Sequence, residues 1–270
     1  MTIIEILNRC QANGISLQSV NGQLKVSSKH KAPIDAELIK QLKVNKEKLL
    51  AWFDENKESA TIESIPARPA NKMIPLSVEQ QAMFLRWQTD PESAEFNTPS
   101  LFQLSGEIDC SALSSAWQTV CLRHESLRTF FKGVGDEAEQ VIAPQAPVLE
   151  VVDAHSWPQP RLQQELLEVV GKGFNLVQSP PVRAILFRTA DNEAILSLVM
   201  HHLITDGWSM DLIFGELAAL YNAELANIPI ELPAVALQYA DYAVWQRSQV
   251  SSRDYQEQWS YWSERLQDLT

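Results

Sequence analysis

The sequence predicts an α+β chain of unequal parts: a small α-β-β-α-α module, a linker, and a larger lobe of layered α/β structure. Three observations carry this. Two short alternating runs flank Asn21-Gly22, and Asn-Gly is the strongest short hairpin signal because both turn residues accept positive φ. From Glu55 to Lys72 the chain reads ENKESATIESIPARPANK, too polar and aperiodic to bury a face. Beyond that stretch, helix-period and strand-period runs alternate to the end. The boundaries fall at 1–56, 57–72 and 73–270.

In the small module, Ile3, Ile4 and Leu7 lie on one side of a short helix that Asn13-Gly14 can stop. A two-residue turn then pairs Val20 with Gln23, Leu17 with Val26 and Ile15 with Ser28. That register puts Ile15, Leu17, Leu24 and Val26 on one face, and Gln18 and Lys25 on the other. After Pro33, Leu38, Ile39 and Leu42 mark a second helix, and Asn45 can cap a third carrying Leu49, Leu50, Trp52 and Phe53. A two-stranded sheet has two open edges. The run from Gln23 to Ile34 has no acidic residue but holds Lys25, Lys29 and Lys31. Such an edge suits an acidic peptide adding by backbone pairing, with Gln23, Leu24, Lys25, Val26, Lys29 and Lys31 as contacts. Lysines that merely guard a solvated edge are the equal alternative.

In the larger part, Leu113, Ala116, Trp117, Val120 and Cys121 form one helical stripe behind Asp109 or Ser111. Strand-like runs follow at 127–131, 140–143 and 148–152, then a helix with Leu162, Leu166, Leu167 and Val170. The apolar runs 182–189 and 194–200 form a hairpin. They lead into Met200-His201-His202-Leu203-Ile204-Thr205-Asp206-Gly207-Trp208-Ser209 and a long helix through Leu212, Ile213, Leu217, Leu220 and Tyr221. Successive residues at a strand end point to opposite faces, so His201 and His202 cannot share one metal. No other His, Cys or carboxylate has zinc-like spacing, so no metal is expected. One imidazole should face the interior and the other a cleft, where a neutral ring accepts a proton near pH 7. Asp206 can cap the following helix, and Gly207 allows a sharp turn into it.

Charge and length bound the function. The 270 residues carry 22 Lys or Arg against 34 Asp or Glu, a net charge of -12. Residues 1–60 are net +2 and the remainder net -14. A nucleic-acid binder needs a basic footprint, so none is expected. No apolar run approaches the roughly 20 residues of a membrane span, and no cationic stretch leads an apolar one at the N-terminus. Cys10, Cys110 and Cys121 are an odd number without ligand spacing, which reads as free thiols in the cytoplasm.

Residues 1–56, through GISL…NGQLKV and Leu-Leu-Ala-Trp-Phe, resemble the tubulysin-type N-terminal docking domains of assembly-line synthetases. The resemblance implies a homodimer-prone module that grips the C-terminal tail of an upstream synthase subunit. His201-His202-Leu203-Ile204-Thr205-Asp206-Gly207 is similar to the HHxxxDG motif of nonribosomal peptide synthetase condensation domains. Residues 123–131 resemble the RHExLRTxF motif and 239–245 the YxDYAVW motif, in family order. Residues 77–84 match the first family motif in part, with Ala82 where an arginine is usual, which leaves the subtype open.

The resemblance implies half of a chloramphenicol-acetyltransferase-like fold that makes an amide between a carrier-bound acyl or peptidyl thioester and an aminoacyl acceptor. No cofactor is expected in the chain itself, because substrates arrive on the phosphopantetheine of carrier proteins. His202 is implied as the residue acting on the amine, with His201, Asp206 and Gly207 completing the catalytic set. Asp206 should pair with Arg123 or Arg128, and Trp208 and Trp245 should be packing residues. The later motifs are not in this sequence, so the expectation is a truncated piece that is inactive alone. Another acyltransferase or epimerisation relative, or a pure docking unit, are the alternatives.

Overall fold

The computed structural model describes residues 6, 9–10, 15–20, 23–28, 36–55 and 65–267. They fall into two compact units, Met1–Ser64 and Ile65–Thr270. The first three hydrophobic positions (Ile3, Ile4, Leu7), the Asn21-Gly22 turn, Lys29 and Lys31 lie outside the described residues.

In the small unit, β1 (Ile15–Val20) and β2 (Gln23–Ser28) pair antiparallel, with Leu17 opposite Val26 and Val20 opposite Gln23. The register is the one the turn length dictates. Helices α1 (Ala36–Val44) and α2 (Lys46–Glu55) follow. Ile6, Cys10, Ile15, Leu38, Leu42 and Leu49 form the core, with Leu17 and Leu24 packed against it. Two expectations are corrected. Val26 is 39% exposed and Ile39 38%. Ile39 stands about 100° around the helix from Leu38, so only one of the two can face the core.

The large unit contains a four-stranded sheet in the order β4-β9-β8-β7. Its strands are β4 (Asn97–Ser105), β7 (Leu149–Asp153), β8 (Val182–Ala190) and β9 (Glu193–His201). Only β7 and β8 run parallel. Parallel neighbours need a crossover, and α5 (Gln159–Gly171) supplies it. Leu167, expected on its buried stripe, is 72% exposed, because only Leu162 of that helix is fully enclosed. A smaller sheet, β3 (Ile74–Pro75), β6 (Glu139–Ile142) and β5 (Thr129–Lys132), lies in the order β3-β6-β5. The run expected as a strand at 127–131 begins with a 3-10 turn at Glu125–Arg128.

Four more helices complete the unit: α3 (Val78–Thr89), α4 (Cys110–Arg123), α6 (Gly207–Ala226) and α7 (Tyr239–Gln249). The final helix, α8 (Arg253–Leu266), has no buried residue. The α4 stripe is buried as its periodicity requires, with Trp117 and Val120 at its centre. Strand β9 is buried over its last six residues, as a strand covered on both faces must be.

The loop after α5 seats the end of β9. Gly173 faces the backbone of Glu92, and a Cβ there would stand 2.6 Å from the Glu92 carbonyl oxygen. The Trp87 indole N–H donates to the next carbonyl, that of Phe174, at 3.0 Å. A backbone neighbour cannot swing away as a side chain can. Gly173→Ala is therefore expected to cost about 1–3 kcal/mol through overpacking, measured by urea denaturation. An unchanged midpoint would show that this loop is not tightly seated.

Candidate active site

The histidine loop is built from the end of β9. His201 closes the strand and pairs with Asn97. Its backbone N–H donates to Pro181 O at 3.1 Å, and that of His202 donates to Phe96 O at 2.8 Å. The chain then turns and re-enters as α6, with Asp206 as N-cap. The Asp206 carboxylate accepts from the Ser209 N–H at 2.8 Å and from the Ser209 hydroxyl at 2.6 Å. Those bonds hold its carboxyl below the usual carboxylate range.

The two imidazoles have opposite fates. His201 is 2% exposed. Its ring lies 5.8 Å from Phe96 and 6.4 Å from Phe174, centroid to centroid. Its Nδ1 accepts the Leu203 N–H at 3.0 Å, so a neutral ring carries its proton on Nε2. Burial, reinforced by His202, pushes its pKa down to about 4. The resemblance puts His201 in the catalytic set; the structure encloses its ring, whose bond to the Leu203 N–H pins the loop. His202 is exposed instead. Its Nδ1–H donates to the Thr205 carbonyl at 2.5 Å. In a neutral ring that leaves Nε2 as the proton acceptor.

His202 and Asp206 line one cavity of about 290 Å³, together with Glu79, Met83, Ser209 and Tyr239. A larger hollow of about 440 Å³ lies between β4 and α6, walled by Phe102, Leu104, Phe214 and Leu217. It shares no residue with the histidine cavity. The smaller cavity brings the His202 imidazole together with two carboxylates and a tyrosine, whereas the larger is walled mainly by apolar side chains.

The first motif supports the loop from α3. Ser77 and Gln80 form a capping box, and the Gln80 amide donates to Leu203 O at 3.1 Å. Ala82, at the arginine position of that motif, is exposed.

The expected partner of Asp206 is corrected. Arg123 Nε donates to both Glu216 oxygens at 3.0 and 3.1 Å, and His124 Nε2 lies 2.6 Å from the same carboxylate. Arg123 thus ties α4 to α6. Arg128 donates to the carbonyls of Cys121 at 2.9 Å and Leu122 at 3.3 Å, and to that of Ala143. Both guanidinium groups are consumed by near partners. Among the described residues no cation forms an ion pair with Asp206.

Gly207 also differs from expectation. Among the described residues the positive-φ glycines are Gly106, Gly133 and Gly135, so Gly207 is not demanded by backbone conformation. A Cβ at Gly207 would meet nothing within 4 Å. Trp208, expected in packing, is 84% exposed.

Four supporting residues escape a reading of the sequence: Arg68, Gln80, Glu216 and Arg247. Arg68 lies inside the stretch read as linker. Its guanidinium meets Glu125 at 2.9 Å and Asp241 at 3.0 Å, joining the second and third motifs. Arg247 donates to Leu76 O at 2.6 Å and to Gln81 Oε1 at 3.1 Å. Nothing in local periodicity marks an ion pair between residues so far apart in sequence; only the motif carboxylates Glu125 and Asp241 hint at missing cations.

In the small unit, Gln23, Lys25 and Val26 are exposed along β2 and Leu24 is half-buried. Among the described residues, β2 pairs with β1 alone. No described group of three or more His, Cys, Asp or Glu could hold a metal ion. No described helix is long and apolar enough to cross a membrane.

The chain is a member of the Condensation domain family, whose sequence profile matches residues 70–270, while residues 3–55 match the TubC N-terminal docking domain. Condensation domains perform acyl transfer of the peptide-bond-forming type on carrier-protein-bound substrates. The chain is 35% identical over 225 residues to a linear gramicidin synthase polypeptide of Brevibacillus parabrevis, covering 82% of this chain and 3% of that protein. It is 35% identical over 207 residues to the isonitrile lipopeptide synthase of Mycobacterium tuberculosis, covering 74% of this chain and 8% of that one. Among solved structures it is similar to the X-domain in complex with OxyB from teicoplanin biosynthesis. There the identity is 31% and the TM-score 0.70, over 77% of this chain and 46% of that one. The EpoB cyclization-docking bidomain of Sorangium cellulosum shares the fold at 22% identity and TM-score 0.71, over 99% of this chain and 53% of that one. The chain therefore spans about half of the solved relatives and a small fraction of the curated ones.

His201 makes stability pH-dependent in a defined direction. Its folded pKa, about 4, lies below the ordinary value of 6.5. The unfolded chain thus binds the proton more tightly, and its contribution is full above pH 6.5 and lost as pH falls toward 4. The loss is on the order of 3 kcal/mol. His201→Gln, whose amide oxygen can still accept the Leu203 N–H, is expected to remove that part of the slope in denaturant titrations between those pH values. Parallel slopes for both proteins would contradict it.

Proposed function

We propose that residues 73–270 belong to a condensation domain that forms an amide between a carrier-bound acyl or peptidyl thioester and a carrier-bound aminoacyl group. The observation that carries this reading is the state of His202: one ring nitrogen is tied to Thr205 O at 2.5 Å, and the ring forms part of an open cavity wall. The acceptor nitrogen attacks the thioester carbonyl carbon, and the C–S bond breaks. The proton lost by nitrogen passes to His202 Nε2 and from there to the departing thiolate. Alignment of the two reactants contributes several kcal/mol, and the imidazole both orients the amine and takes its proton. The Ser209 N–H at the head of α6 is engaged by Asp206, so Asp206 acts by fixing the loop onto the helix. In a polypeptide that carries the whole condensation domain, His202→Ala is expected to lower amide formation from carrier-bound substrates by about 10²-fold or more, followed by mass spectrometry of the product. Undiminished product would remove His202 from the mechanism.

Residues 1–56 are proposed to dock the acidic C-terminal tail of an upstream synthase subunit along β2. Exposed Lys25 and the outer edge of that strand, which pairs with β1 alone among the described residues, support this, with Lys29 and Lys31 extending the basic run in the sequence. Docking raises the local concentration of the donor carrier, so a weak contact suffices. Calorimetry with such a tail peptide should give a dissociation constant that rises about tenfold or more in the Lys25→Glu, Lys29→Glu double variant. Equal affinity for both proteins would leave the lysines as edge guards only.

A further inference from the structure

The histidine cavity has a charge pattern that the proposed reaction does not use. Asp206 sits on the α6 side of the cavity, and Glu79 enters its wall from the first turn of α3. Among the lining residues there is no lysine or arginine. Glu79 is held in place. Gln246 of α7 donates its amide to both Glu79 oxygens at 2.9 and 3.0 Å, and to the Tyr242 hydroxyl at 3.1 Å. The other end of that amide accepts the Val78 N–H at 2.8 Å. Burial pushes the Glu79 carboxyl up, but Gln246, the Glu79 backbone, Ser77 and nearby Arg247 together hold it below the usual range. Tyr239 lines the same cavity, its hydroxyl 3.0 Å from the Ser77 hydroxyl. Glu79 is thus an exposed carboxylate fixed by a neutral amide, with no lysine or arginine among the residues that line its cavity.

We infer that Glu79 is a substrate-orienting residue that selects a cationic nucleophile, drawing the α-ammonium of the aminoacyl acceptor into the cavity beside His202. The inference rests on the condensation reading and specifies the acceptor class: amines that arrive protonated, in preference to neutral hydroxy acids of the same shape. It also divides the work. A carboxylate stabilises the ammonium and so opposes its deprotonation. Glu79 therefore serves capture; the ammonium gives one proton to water before attack, and the proton lost as the amide forms passes through His202 Nε2 to the thiolate. The side chain of Gln246 fixes the carboxylate from a helix far away in sequence, which keeps the capture point rigid relative to the loop.

The test uses two non-hydrolysable probes, an aminoacyl pantetheine amide and its α-hydroxy counterpart, with binding to the whole chain followed by NMR titration. The amine is expected to bind about tenfold more tightly than the alcohol, in line with a charge-assisted contact. Glu79→Gln keeps the side-chain volume at an exposed position, and should bring the ratio to about one. Glu79→Asp should restore part of it. Equal binding of both probes to the unaltered chain, or a ratio that survives Glu79→Gln, overturns the assignment. If the ratio survives while His202→Ala still abolishes amide formation, Glu79 is removed and the condensation reading stands. If His202→Ala leaves amide formation intact, both fall.

Discussion

The arrangement of the site depends on one buried hydrogen bond, from the Leu203 N–H to the neutral imidazole of His201. A polar ring enclosed among Phe96, Phe174 and the strand end would be costly unless its acceptor nitrogen were matched. The match comes from the chain's own next turn, so the ring's burial and the turn's shape enforce one another. With His201 inward, His202 stands outside, its backbone held by Phe96 and its Nδ1 by Thr205. The first imidazole is scaffold and the second is available for chemistry. This is why adjacent residues of identical type have unlike environments.

Around that pair, three distant sequence segments act as one support. The first motif reaches the loop through Gln80. The second motif holds α6 through Arg123 and Glu216. The third meets the second through Arg68. The Gln80 contact ends on Leu203, which lines the cavity, and the other two lie away from it; each is between partly or fully buried groups, where breaking one partner strands the other. Gln80, Arg123 and Asp241 thus brace the geometry of the histidine loop.

Much of this is legible from residue pattern, and the reason is local physics. Turn length sets strand register, so the pairing of Leu17 with Val26 follows from Asn-Gly alone. The stripe on α4 follows from its 3.6-residue period. The opposed fates of the two histidines follow from their place at a strand end, though His202 itself lies just past it. What cannot be read are contacts between residues remote in sequence. A carboxylate near a site suggests a cation, and so the pattern points Asp206 toward an arginine; the capping hydroxyl and N–H of Ser209, only three residues away, satisfy it first. Arg68 is hidden by its setting, since a proline-rich polar stretch gives no sign that one side chain reaches back to the core. Strand β4 is equally hidden, because Pro99 and mixed polarity disguise a strand whose pairing with β9 defines it.

Gly207 separates two demands that usually travel together in a loop of this kind. Its backbone conformation is open to any residue and the space before it is empty, so folding exerts little pressure on the position. A library of variants sorted only for soluble, well-folded protein would retain bulky side chains there. Those same side chains would stand at the head of α6, one residue from the cap that borders the cavity. Engineering efforts that rank mutations by melting temperature would thus be blind at this position, and only a screen for product would register the difference.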